Sequence, residues 1–160
     1  MGIAALTWGS IQDQWGSERV ALPPSNTEPM KFLPLIGRIL FVSLFILSGV
    51  SHLFGSGVDY ASAAGIPAAH VLVPVGGLLA LLGGLSVALG YKARSGAWLL
   101  IVFLLPVTFS MHAFWTVTDP MMGQMQMAMF MKNIALMGTA LMITFLGSGP
   151  FSLDARTAKA

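Results

Sequence analysis

Four long apolar runs dominate the chain, separated by short segments where glycine, proline and charge collect. A bilayer core about 30 Å thick is crossed by about 20 apolar residues in a helix. The runs predict membrane-spanning helices over about 32–54, 68–90, 95–117 and 124–146. Gly65 and Pro67 mark the turn before the second, and Gly147, Gly149 and Pro150 break the fourth. The expected fold class is all-α, an integral membrane four-helix bundle over residues 31–150 with a short tail, 151–160. The first 30 residues follow a different pattern. Trp8, Ile11 and Trp15 recur on one helical face beside Gln12, Asp13, Glu18 and Arg19, and Pro23 and Pro24 follow. That spacing predicts an amphipathic segment lying in the membrane interface. It lacks the apolar core and cleavage site of a signal peptide. Leu6 stands where a myristoylation signal carries a hydroxyl residue.

Composition turns the pattern into a solvent argument. Of 160 residues, 56% are hydrophobic and 9% charged, against about 25% charged in an ordinary soluble domain. One core of this size cannot hide that much apolar surface, so lipid is its solvent and lipids are its first partners. The net charge of +2 forms no basic stripe, which excludes a nucleic-acid surface. The absence of cysteine excludes disulfides, thiolate metal sites and iron–sulfur clusters. A redox role therefore needs a bound molecule or a partner subunit; no intrinsic cofactor is expected, and a quinone or lipid is the ligand class that fits.

The loop charges give an orientation. Arg19, Lys31 and Arg38 precede or open the first run, Lys92 and Arg94 separate the second and third, and Arg156 and Lys159 follow the fourth. The loops around Asp59 and Asp119 hold no basic residue. The positive-inside rule then places both termini in the cytoplasm. Arg38 lies near enough to its helix end to reach the interface along its own stem.

Inside the spans, two patterns stand out. Gly76, Ala80, Gly84 and Ala88 form a small-residue stripe, widened by Gly77 and Gly83, of the kind that lets helix backbones approach closely. Met121, Met122, Met125, Met127, Met129 and Met131 open the fourth run. Thioethers bind Cu(I), but alternating methionines point to both sides of a helix and suit adaptable packing better. No metal site is expected.

Polar groups within spans are costly and mark sites by default. His52, His112, Trp115, Gln126, Lys132 and Asn133 all fall in the half remote from the basic loops, contributed by three different helices. Each has a plainer role open to it: Lys132 reaching the interface, Asn133 cross-linking helices, Trp115 in an aromatic belt, each histidine on a helix-end carbonyl. Two histidines on separate helices are also the minimum for haem ligation, with no motif beside them. No Asp or Glu lies in a span, so paired carboxylates and catalytic triads are absent, and no catalytic residue is assigned.

Several runs together resemble the DoxX family. Gly37-Arg38-Ile39-Leu40 through Phe45, Ser48-Gly49 and Phe54 look like its first helix, and Gly83-Gly84-Leu85 with Gly90 and Arg94 like its second helix and loop. Phe114-Trp115, Asp119, Gln126, Phe130, Lys132-Asn133, Gly138 and Gly149-Pro150-Phe151-Ser152-Leu153-Asp154 look like its carboxyl-terminal signature. The resemblance implies a four-helix protein of the bacterial inner membrane. Some relatives are small subunits of thiosulfate:quinone oxidoreductase and others belong to redox-stress systems. This chain has His52, Ala80 and Met129 where the family often has lysine, glutamate and histidine, and keeps Lys132 and Asn133. The expected function is a small accessory subunit of a quinone-linked inner-membrane complex, packing on other subunits through small-residue faces. The alternative is a quinone-interacting oxidoreductase subunit with its polar site in the outer leaflet.

Overall fold

The computed structural model describes residues 31–157, so the amphipathic segment expected over residues 1–30 lies outside the described residues. Four helices are long and apolar enough to cross a membrane. They are α1 (Leu33–Leu53), α3 (Ala69–Leu89), α4 (Ala93–Met111) and α5 (Pro120–Leu146). Two short helices join them: α2 (Val58–Ala63), between α1 and α3, and α6 (Leu153–Thr157), after α5. A 3₁₀ turn, Phe114–Thr116, links α4 to α5.

Two boundaries differ from the expectation, for local reasons. Apolar Phe114 and Trp115 extend the third hydrophobic run, but the helix ends at Met111 and the chain turns there. The fourth helix starts earlier, at Pro120. Asp119 accepts a hydrogen bond from the Met122 N–H at 2.7 Å, and Pro120 sets the first helical φ.

Each span packs on the next in sequence, α1 on α3, α3 on α4, α4 on α5, with no comparable seam between α1 and α5. Glycines make the closest crossings. A Cβ at Gly77 would stand 2.9 Å from the Gly49 carbonyl, and one at Gly83 would stand 2.9 Å from the Gly96 carbonyl. The stripe itself lies between these crossings. Ala80 is fully buried, Gly76 faces Phe103 of α4, and Gly84 faces Ile46 of α1, with Ala88 packed at the core's edge. It therefore serves the bundle's own packing rather than a face for other subunits. Phe41, Val42 and Phe45 meet Val87, Leu100 and Leu104 in the core. In lipid this contact is held by dispersion, since the surrounding tails are as apolar as the core. α5 contributes a narrow stripe, with Asn133 and Ala140 buried and Met137 packed against the core, and turns the methionines from Met121 to Met131 outward.

At the basic end the chain folds back on itself. Arg38 is 5% exposed and does not reach out to the interface as its position suggests. Its Nη2 donates to the carbonyls of Phe151 at 2.8 Å and Pro150 at 3.3 Å. The reason is geometric: Gly147 and Gly149 take positive φ, reversing the chain after α5 and laying these carbonyls over α1. Gly90, at φ +62, leaves the space beside Arg38 and Ser152 that a side chain would fill. Asp154 then accepts from the N–H of Lys92 at 2.9 Å and of Ala93 at 3.3 Å, capping α4 from a distant part of the sequence. Partial desolvation pushes the Asp154 carboxyl up. The two N–H groups, the Ser148 hydroxyl and the Arg38 charge outweigh it and hold the group below its ordinary value.

Candidate functional site

At the opposite end, a cavity of about 500 Å³ lies among α1, α3, α4 and α5. That volume is in the range of small-molecule sites. Its walls are largely apolar, with Leu44, Phe45, Leu79 and Phe103 among them. Pro106 of α4 also lines it. A proline cannot donate to the carbonyl one turn back, that of Val102, which lines the cavity too. The helix is thus least regular where the space is.

Four of the six sequence candidates line this cavity: His52, His112, Lys132 and Asn133. They come from α1, the end of α4 and α5. Asn133 is 4% exposed, and no described group hydrogen-bonds its side-chain amide. Its amide atoms open to the cavity; the sealed side-chain atoms without a partner among the described residues are Arg38 Nε and Nη1, at the other end. Lys132 is more exposed, with its Nζ 3.5 Å from Met129 Sδ, a weak acceptor. The His52 ring packs at 6.3 Å from that of Phe103. Ser48 and Ser110 add hydroxyls to the lining, and the Ser110 hydroxyl bonds the Pro106 carbonyl.

Gln126 does not line the cavity but closes its outer rim. Its Oε1 is 2.8 Å from His112 Nδ1, and its Nε2 donates to the Tyr60 hydroxyl at 2.8 Å. An amide oxygen only accepts, so in this arrangement the imidazole donates from Nδ1 and keeps Nε2 free. Tyr60 stands on α2 and lines the cavity as well. The three side chains tie α2, the end of α4 and the start of α5 together. Tyr60 was not among the sequence candidates. In the sequence it falls in a glycine-rich stretch between the first two apolar runs, and nothing local marks it as a partner of Gln126. Trp115 is not brought into the site. The 3₁₀ turn sends it outward, where its ring meets Phe114 and Phe130 edge-on, and it is more than half exposed.

Among the described residues no group of three His, Asp or Glu side chains is placed to hold a metal ion. The site offers hydrogen-bond donors and one cation on an apolar wall.

The fold and site define a small helical membrane protein with a pocket among its spans. The chain belongs to the DoxX family, whose model matches residues 33–113. The match covers α1 to α4. The carboxyl-terminal run from Phe114 onward, which contributes Lys132 and Asn133, lies beyond it. The chain is also similar to the Inner membrane protein YqjF of Escherichia coli (strain K12), with 31% identity over 122 residues, 75% of this chain and 88% of that protein. No solved structure matches the chain.

Proposed function

We propose that this is a multi-pass protein of the bacterial inner membrane, both termini cytoplasmic, serving as a small accessory subunit of a quinone-linked redox complex. In this reading it holds a quinone head group in the outer-half cavity. The observation that carries it is Asn133, a largely buried side chain whose amide opens into an apolar space between helices. Quinone carbonyls are acceptors and need donors at membrane depth; Asn133 and Lys132 supply them, and Phe103 offers a ring face. The tail would lie along the unsealed side between α1 and α5. Membership in the DoxX family and likeness to a protein named for the inner membrane support the setting. Thiol and iron–sulfur electron carriers fall to a partner subunit, because the chain has no cysteine. The inward-turned stripe favours ligand holding over docking through that face.

The test is saturable binding of a short-tail quinone to the purified protein in mild detergent. Asn133→Leu keeps the volume and removes the donor. It should weaken binding roughly tenfold, the scale of one hydrogen bond in an apolar site. Equal binding by the folded variant, or no saturable binding by the natural protein, refutes the reading.

A further inference from the structure

The basic end holds a second cavity, of about 520 Å³, between the start of α4 and the end of α5. Lys92, Arg94 and Ser95 line one side, and Leu146, Gly147 and Ser148 the other. We propose that this cavity is a binding site for the phosphate of an anionic membrane phospholipid.

Three features carry the assignment. The first is charge in a concave place between helices. Basic pockets of this kind, at the membrane face where lysine and arginine collect, suit lipid phosphate. Arg94 is fixed there rather than free. Its Nη2 donates to the Phe145 carbonyl at 3.3 Å, and its guanidinium lies over Gly147, where a Cβ would stand 3.6 Å from Nε. The remaining donors stay available for oxygen atoms.

The second is the start of α4. Asp154 takes the N–H groups of Lys92 and Ala93, leaving those of Arg94 and Ser95, the next two of the first turn. Free first-turn N–H groups beside two cations favour an anion. Asp154 also lines the cavity and is the one acidic group there. Both of its oxygens are engaged, Oδ1 by Lys92 N–H and Oδ2 by Ala93 N–H and the Ser148 hydroxyl. Arg38 also faces it electrostatically, so a single carboxylate stands against Lys92, Arg94 and Arg38.

The third is what lies above the cavity. Trp98, four residues after Arg94, stands on the same helix face about 6 Å deeper into the membrane. Trp98, Phe145 and Leu146 are all more than half exposed. They form an apolar track that starts at the cations, the arrangement a glycerophospholipid needs for a phosphate and its chains. A free phosphate ion would use the cations and ignore the track.

The experiment uses Trp98 as the reporter. Trp8, Trp15 and Trp115 are replaced by phenylalanine in the full chain, which is reconstituted in phosphatidylcholine vesicles. Phosphatidylglycerol or phosphatidylcholine with brominated chains is then titrated in. Brominated phosphatidylglycerol should quench Trp98 at a lower mole fraction than brominated phosphatidylcholine. The preference should fall about fivefold with Arg94→Gln and again with Lys92→Gln. Arg94→Gln keeps a donor for the Phe145 carbonyl, and native mass spectrometry of retained lipid reads the same preference independently of fluorescence. Equal quenching by the two lipids overturns the proposal, as does a preference that survives both substitutions. Displacement of the lipid by millimolar inorganic phosphate would overturn the lipid assignment in favour of a free-anion site.

Discussion

Adding one methyl group at either of two glycines should move stability in opposite directions. At Gly77 a Cβ would meet His52 Cβ at 2.8 Å, the Gly49 carbonyl at 2.9 Å and the Leu53 amide at 3.1 Å. Ordinary contact begins near 3.4 Å, so α1 and α3 would have to part by about half an ångström. Two of these neighbours are backbone and cannot rotate away. Overpacking of this kind costs about 1–3 kcal/mol, and the better helix propensity of alanine returns about 1 kcal/mol. Two of the three contacts fall under 3.0 Å, which puts the cost in the upper half of that range, so Gly77→Ala should destabilise by about 1–2 kcal/mol. At Gly138 of α5 a Cβ would meet nothing within 4 Å. Gly138→Ala should keep the propensity gain alone and stabilise by about 0.5–1 kcal/mol. The measurement is the unfolding midpoint of both variants in one detergent, followed by far-ultraviolet circular dichroism on titration with a denaturing detergent. A Gly77→Ala protein as stable as the natural one, or a shift of both variants in the same direction, refutes this packing of α1 on α3.

Asp154 gives a pH test. Its carboxyl is held below the ordinary value, so its contribution is complete above the unfolded-state pKa, about 3.9, and is lost as pH falls through the folded-state value. The thermal midpoint should be flat from neutral pH to about pH 5 on this account and fall below about pH 4. Asp154→Asn should remove that acid limb and weaken the α4 cap by about 1 kcal/mol at neutral pH; an unchanged acid limb would count against the role given to Asp154. Gln126→Leu removes both bonds of the Tyr60–Gln126–His112 link. Amides of Val58–Ala63 should then exchange with deuterium about tenfold faster while those of α3 and α4 hold. Unchanged exchange in α2 would show that Gln126 does not tie it down.

The spans were legible because lipid imposes one requirement, a long apolar helix, that hydropathy reads directly. Span ends were less so. Phe114 and Trp115 continue the apolar run although the chain has left the helix, and the Asp119-Pro120 cap starts the fourth helix ahead of Gly123 and Gln124. Four of the six candidate site residues meet in one cavity because depth can be counted along a helix. Trp115 fails because a 3₁₀ turn intervenes, and depth says nothing of facing. Tyr60 and the acceptors of Arg38 were out of reach for another reason. Their partners lie 66 and more than 100 residues away in sequence, and single-sequence periodicity holds no information on such pairings. The small-residue stripe was visible, but which seam it served followed only from the packing of α3 between α1 and α4.

The partners of Arg38 are 112 and 113 residues further along the chain. During synthesis α1 leaves the ribosome long before Pro150 and Phe151 exist. Until then the guanidinium has no carbonyl to bond at its final depth and must remain at the water's edge. The Arg38 side chain therefore gains its partners last, when the final turn of polypeptide arrives to meet it. A product ending before residue 150 keeps an unmet cation on its opening helix. The clasp thus makes completion of the chain a condition of the burial of Arg38.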